Sequence, residues 1–459
     1  MNYKRKDILK KMALFSIPYL ISILMQALYG MADLFIVGQF NGVESITGVS
    51  IGSQVMHMIT VMIIGLAMGT TVLIGKAVGS GRKDEEAKII ANTVNIFFIF
   101  SIIITIILLY FLKSIVYLMS TPKDAISETI HYLRVCFLGI PFIVFYNVIS
   151  SIFRGKGDSK TPMYFVAIAC VSNIILDLIL IGVLGMGAMG AALGTVLSQA
   201  VSVIVSLLFM MIKDMGIKVK KSDFIINNRI IKELLKTGVP ISLQDGFIQI
   251  SFLLIALFAN LRGIEDAAAV GIVEKIIGIL FLVPSTMLST VSALSAQYLG
   301  GKRIIHARKT LKYAILLCFS FCMISFLLMQ FVAEDIVGLF TSDKMVIIKG
   351  GQYMRGYAFD CVLAGIHFCF SGYFFACKKS SISFFHNCVS IICARIPISY
   401  FASIYFKDTL FPMGLAPAVG SLISVIICLI AYKFIKKDED KLIKKELLKE
   451  KIYGKKRLI

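Results

Sequence analysis

Between Tyr313 and Ala333 the chain carries no charged residue, and that stretch by itself fixes the solvent in which the fold must be built. A bilayer's hydrocarbon core, about 30 Å thick, is crossed by about 20 apolar residues of helix. Backbone crossing as anything but a helix or a closed barrel would leave its amides unpaired. Comparable stretches recur. Breaks in hydropathy give twelve candidate spans, at 12–37, 47–75, 89–112, 127–152, 161–182, 187–212, 237–260, 267–298, 311–333, 350–376, 381–405 and 412–435. The eighth is the most interrupted, by Glu274 and Lys275. Hydrophobic residues make up 58% of the chain and charged ones only 16%, against about 25% charged in soluble domains. The fold class is therefore an all-α polytopic membrane protein.

The formal charge of +20 would suit a nucleic-acid binder, but its placement does not. Basic residues gather between spans: Lys4 to Lys11, then GKAVGSGRKDEEAK, RGKGDSK, KVKKSDFIINNRIIKELLK, GGKRIIHARK, CKKSS and a Lys-rich tail. The opposite loops hold only Lys113, Lys123, Arg262, Lys344, Lys349 and Lys407. By the positive-inside rule both termini and the basic loops are cytoplasmic, in a multi-pass protein of the cell membrane. The N-terminal MNYKRKDILKKMALF lacks a small-residue cleavage site and reads as a retained lead into the first span. The tail from Lys436 reads either as a helix against anionic lipid or as a solvated extension. Ten Cys without CxxC or ligand spacing, and five scattered His, give no metal or haem motif. No cofactor is expected, and the Cys read as small packing residues on helix faces.

An internal repeat divides the chain. At a shift of 221, Gly42-Val43-Glu44 matches Gly263-Ile264-Glu265, and Tyr132-Leu133-Arg134 matches Tyr353-Met354-Arg355. At 220, Gly81-Arg82-Lys83 matches Gly301-Lys302-Arg303. The expected division is a six-helix lobe over 1–212, a basic cytoplasmic linker over 213–236, a second six-helix lobe over 237–435 and a basic tail over 436–459. Six spans per repeat give both lobes the same orientation, related by a pseudo-twofold axis along the membrane normal.

An ionised Asp within hydrocarbon costs about 3 kcal/mol on insertion scales, so an acid inside a span needs protein, water, a proton or a cation beside it. Asp177 follows Asn173 by four residues on the fifth span, which puts both on one face. At 1.5 Å per residue, Asp33 lies about 9 Å short of the outer end of the first span, and Asp177 is similarly placed. Thr195 lies about 12 Å inward on the sixth. Asp33, Asn173, Asp177 and Thr195 can then meet in the outer half of the N-terminal lobe. Two carboxylates, an amide oxygen and a hydroxyl form a hard-oxygen set suited to a proton or Na⁺. The plainer alternative is local capping or pairing near the interface. In the second half the shifted positions read Leu254 and Ile398. Its own polar set is Gln244 and Asp245, Glu274, and Arg355 with Asp360. That set suits a cationic substrate or a second coupling ion, or else internal ion pairs of Glu274 with Lys275 and Arg355 with Asp360. Met25, Tyr29, Met31, Tyr146, Phe252 and Phe281 are of the type that lines a drug-accepting cavity, though such residues more often face lipid or other helices.

These residues resemble the multidrug and toxic compound extrusion (MATE) family. Pro18, then Gln26, Tyr29 and Asp33-Leu-Phe-Ile-Val-Gly, are similar to its first helix. FRGKGDSKTPM with Asn173-Ile-Ile-Leu-Asp177 is similar to its helix 4–5 loop and acidic fifth helix, and GMGAMGAALGTVLS to its sixth. The resemblance implies twelve helices in two lobes around a central cleft. It also implies a monomeric antiporter that exports amphiphilic organic compounds by alternating access in exchange for H⁺ or Na⁺. It implies a cation site at Asp33, Asn173, Asp177 and Thr195, as in the prokaryotic DinF-like branch. Asp360 is similar to the acid that the NorM-like branch carries in its tenth helix. Substrate or a second cation falls to Gln26, Tyr29, Gln244, Asp245, Glu274 and Asp360. Two departures stand out: Gly30 where the family commonly has Asn, and Gln244-Asp245 where the NorM-like branch uses Glu.

Two rival readings remain. One is a flippase for lipid-linked saccharides from the same superfamily, which would want basic residues inside spans, where Arg134, Lys275, Arg355 and Arg395 stand. The other is an intramembrane aspartyl protease, since Gly155-Lys-Gly157-Asp158 fits a GxGD pattern. That chemistry needs a second acid sharing the proton, and Asp158 falls in a basic loop.

Overall fold

The computed structural model describes residues 5–213, 216 and 219–455, the side chains of 445–455 excepted. The described residues contain helices and no strand. The helices in order are α1 Arg5–Phe40, α2 Val43–Ser80 and α3 Lys83–Tyr110, then the bent pair α4 (Lys123–Leu138 and Ile140–Gly155), α5 Lys160–Val183 and α6 Gly187–Ile212. The second series is α7 Asn228–Asn260, α8 Ile264–Gly300, α9 Ile304–Gly338, α10 Lys344–Ala376, α11 Ser380–Tyr405 and α12 Phe411–Lys455. Eleven of these are each long and apolar enough to cross a membrane, and α4, bent by 48°, makes the twelfth. The bend falls at Gly139, where Pro141 starts the second segment without needing an amide partner.

The chain packs as two compact units: Lys10–Gly246, and Phe247 onward together with the described residues before Lys10. In the first, α2 and α4 supply the centre, with Val49, Ile63, Ile74, Leu133, Phe137 and Val144 fully or almost fully buried. The N-terminal half of α7 docks here against α2. Small residues permit the approach: a Cβ on Gly238 would overlap the Leu66 carbonyl, and one on Gly69 would sit 2.8 Å from the Leu234 carbonyl. The segment before α7 is pinned by Asn92, whose amide donates to Asp223 O (3.2 Å) and accepts from Asn227 N (2.7 Å).

In the second unit α10 is central, flanked by α8, α9 and α12, and it buries Tyr353, Tyr357 and Tyr373 completely. Arg262, at the end of α7, donates to Asp266 and to carbonyls of the segment joining α11 and α12, among them Phe406 O and Lys407 O. At the other end of the unit, helix α12 continues past Lys436. Glu439 accepts there from Tyr373 Oη (2.7 Å) and Arg308 Nε (2.6 Å), so the start of the tail is docked helix rather than free extension. Faces left outside are apolar: Ile102, Ile103, Ile106 and Ile107 on α3, and Leu316, Leu317, Ile324 and Leu328 on α9 are all exposed. Contiguous apolar surface of that extent is a lipid-contacting surface.

Close packing of α7 on α2 makes a checkable contrast. Gly238→Val should cost about 1–3 kcal/mol by forcing the helices apart and should lower the thermal midpoint in detergent. Gly271→Ala, whose added Cβ meets nothing within 4 Å, should leave the midpoint unchanged or slightly raised.

Candidate functional site

Helix α1 presents a polar stripe to α4 and α6. About four turns into it the Tyr19 ring lies under the Arg154 guanidinium, 5.3 Å from the centroid. Two turns on, Gln26 is in side-chain hydrogen-bonding reach of Tyr146, and Tyr29 of Gln199. One further turn brings Asp33, which accepts from Thr195 Oγ1 at 3.2 Å. Gln199 and Thr195 are four residues apart on α6, so they occupy the same face as their partners do on α1.

The stripe ends in a dense oxygen cluster. Asn173 and Asp177, one turn apart on α5 and both fully buried, reach the Asp33 carboxyl, which is itself 5% exposed. Five of their polar atoms are enclosed without a well-formed hydrogen bond: Asp33 Oδ1, Asn173 Oδ1 and Nδ2, and both Asp177 oxygens. Leaving a buried polar group unpaired costs about 1–3 kcal/mol, more when charged. Five such atoms together have the chemistry that a proton or a small cation would satisfy. Room comes from Gly194 of α6, since a Cβ there would collide with Asp177 Oδ1. The helix itself loosens here: α5 becomes π-helical over Leu178–Val183, directly after Asp177. Such turns recur at functional positions because they shift side chains out of α register.

The polar residues expected in the second half do not form one group. Gln244 is buried, and Asp245 faces α2 in the first unit, its Oδ2 2.8 Å from where a Cβ on Gly65 would stand. Glu274 and Asp360 lie instead around Arg395 of α11, which feels both charges and donates to Tyr357 Oη at 2.9 Å. Its guanidinium also sits over the Phe252 ring, 4.2 Å from the centroid. The pairings read from the sequence are replaced. Arg355 binds Glu334 at 2.9 Å, and Lys275 is exposed while Glu274 turns inward. Spacing explains both: residues one or five apart on a helix point to different sides. Arg395, which the sequence offers only as a basic residue for a flippase cavity, is the centre of this acidic group.

Elsewhere, Asp158 accepts from Thr161 N (2.9 Å) and Thr161 Oγ1 (2.6 Å), a cap at the start of α5 rather than half of an acid dyad. Cys318, Cys322, Cys361 and Cys369 gather in the second unit, with Cys318 in contact with both Cys322 and Cys369. Among the described residues no group of three or more His, Cys, Asp or Glu is arranged to hold a metal.

Comparison with known proteins gives a consistent result. The sequence profile of the MatE family matches the chain twice, at 18–179 and 240–401, so the second match begins and ends 222 residues after the first. The probable multidrug resistance protein YoeA of Bacillus subtilis (strain 168) is 24% identical over 347 residues, 74% of this chain and 75% of its own length. The multidrug export protein MepA of Staphylococcus aureus (strain MRSA252) is 24% identical over 384 residues, 81% of this chain and 82% of its own. A solved multidrug resistance MATE transporter of the MOP superfamily, in an outward-facing conformation, superposes with a TM-score of 0.87 at 23% identity. It covers 94% of this chain and 96% of that one.

Arg395 generates a stability prediction. Arg395→Met leaves Glu274 and Asp360 without their buried counter-charge and should cost about 3 kcal/mol, seen as a lowered thermal midpoint in detergent. Adding Asp360→Asn to that variant should recover part of the loss. Additive loss in the double variant would show that the two charges do not interact.

Proposed function

The chain belongs to the MatE family of multidrug and toxic compound extrusion transporters, and on that footing we propose that it exports amphiphilic organic compounds, cationic ones among them, in exchange for a cation bound at Asp33, Asn173, Asp177 and Thr195. It is a multi-pass membrane transporter and not an enzyme. The observation that carries the cation site is the set of five enclosed, unpaired polar atoms on α1 and α5. Two carboxyl groups so close and so far from water do not both persist as bare anions; a shared proton or a bound Na⁺ removes the repulsion. Filling that site changes what holds α1 to α5 and α6, which gives the ion a differential affinity for two packings of the first unit. Only that difference can drive transport between outward-open and inward-open states.

Gln26 and Tyr29, two turns and one turn from Asp33, are proposed to meet substrate along the α1 stripe. Glu274 and Asp360 serve an organic cation in the second unit: with Arg395 among them, two ionised acids leave one net negative charge. Gln244 and Asp245 belong to the first unit's side of α7 and are proposed as a secondary contact. The protein resides in the cell membrane with its basic loops and both termini in the cytoplasm, its exposed apolar faces against lipid, and it acts as a monomer. A lipid-linked saccharide flippase would require a basic cavity. Of the four basic residues expected within spans, Arg134 and Lys275 are exposed, Arg355 is paired and Arg395 is enclosed by Tyr357 and Phe252.

In proteoliposomes with pH and sodium gradients imposed separately, Asp33→Asn and Asp177→Asn should lower gradient-driven dye efflux by about tenfold or more while the protein still inserts. Gly194→Ala, by displacing the Asp177 carboxyl, should reproduce the defect without changing any ligand. Wild-type rates in Asp33→Asn would remove the cation site from this cluster.

A further inference from the structure

Asp360 stands near the middle of α10, and the buried polar residues beyond it lead toward the end of the unit that bears Lys378 and Lys379. Ser421 of α12 is in side-chain hydrogen-bonding reach of Asp360 and 3.3 Å from Nε2 of His367. His367 is seven residues, or about 10 Å, further along α10. Its ring meets the ring of His386 on α11 edge to face, centroids 5.5 Å apart. Nε2 of His386 is 3.1 Å from Ser371 Oγ, and Ser383 Oγ donates to Ser371 Oγ at 2.7 Å. Ser383 lies about one turn into α11 from Lys379, which is exposed.

The two imidazoles share an unusual arrangement. Each is tethered at Nε2 by a serine, and each leaves Nδ1 buried without a partner. A core built only for packing has no use for two adjacent orphaned ring nitrogens, each costing about 1–3 kcal/mol. A neutral imidazole takes a proton at one nitrogen and releases one at the other, and a hydroxyl passes one on by rotating. The charged groups bearing on the pair are few. Arg395 acts on His367 from α11, Asp360 lies along α10, and Glu274 of α8 stands beyond Arg395. The thiols of Cys318 and Cys322 on α9 and of Cys361 and Cys369 on α10 gather on another face of α10, against Gly365.

We propose that Asp360, Ser421, His367, His386, Ser371 and Ser383 form a proton relay between the middle of the membrane and the end of the unit that is cytoplasmic in the proposed orientation. Asp360, ionised while it holds an organic cation, takes up one proton from the outward-facing solution when that cation leaves and then gives that proton to the relay. Each relay group accepts one and releases one, the hand-off between the rings being made when one turns its unpaired Nδ1 to the other, and one proton leaves at Ser383. The relay rests on the reading of the chain as a cation-coupled exporter and adds to it that protons are moved. Relay residues act through the chain, so their loss should slow coupled transport without weakening the binding of an organic cation.

Wild type, His367→Ala, His367→Phe and Ser421→Ala are reconstituted, and ethidium efflux is followed under a pH gradient and, separately, a sodium gradient. Each variant should lose about tenfold or more of the pH-driven rate. The ethidium dissociation constant from fluorescence should stay within about twofold, and added imidazole should restore part of the rate in His367→Ala, where a ring-sized space is left. Wild-type rates in the variants overturn the relay. So does loss of ethidium binding together with rate and without imidazole rescue, which marks a packing role. Wild-type efflux driven by sodium alone overturns the relay and leaves the exporter standing, whereas no efflux under either gradient overturns both. Should the histidine variants fail to reach the membrane, Ser421→Ala carries the test with both rings intact.

Discussion

A charge removed from water needs a partner close at hand, and both units are arranged around that cost. In the first, two acids and an amide are brought within reach of one another with no basic residue beside them, so the missing partner has to come from outside the chain. In the second, Arg395 supplies it from within, set against Tyr357, Phe252, Asp360 and Glu274. Around Asp33 and Asp177 no basic side chain stands among the described residues, whereas Asp360 and Glu274 already share one guanidinium. Similar folds in the two halves thus carry different chemistry. The first leaves its acids without a counter-charge among the described residues, and the second sets its acids around a buried arginine.

Most of the fold could be read from hydropathy because a bilayer imposes one solution, the helix, on any apolar run of sufficient length. The ends were less legible. Hydropathy registers only the part of a helix that lies in hydrocarbon, whereas α1, α7 and α12 continue through Arg5, Asn228 and Lys455, where the residues are polar and good helix formers. Nor does hydropathy show that α7 serves the first unit with its N-terminal half. That docking depends on Gly238, Gly69 and Gly65 lying opposite one another, a pairing of small residues far apart in sequence. For this reason Asp245, which looks like a second-half acid by number, packs beside α2.

The oxygen cluster of the first unit was legible from depth alone, since Asp33, Asp177 and Thr195 are each measured from a span end and arrive at one height. Arg395 was not, although the repeat held a signal. The offset of 222 places Arg395 opposite Asn173, the residue that sits beside Asp33. A register read at 221 set Asp177 against Ile398 and passed over it. Likewise Arg355 and Asp360 look like partners when written five apart, yet a helix turns them to different sides, and each finds its counter-charge on another helix.

One feature is signalled in the sequence of only one half. The fifth span of each half departs from α geometry beside its buried charge: α5 turns π-helical directly after Asp177, and α11 does so over Ile391–Arg395, ending on the arginine. A π turn inserts an extra residue, so it changes the direction in which the following side chains point without moving the helix axis far. In α5 the residues are Leu, Ile and Val with one Gly182, whereas in α11 Pro397 follows Arg395 by two residues and withdraws its amide from the ladder. What the two spans share is their setting: a charged side chain that faces the interior, on a helix that keeps its apolar face on lipid. Both demands can be met in one span only if the register slips between them. The two halves keep that slip while differing in the charge it serves, acid in one and base in the other, which makes the helix irregularity a more durable property of the fold than the residue beside it.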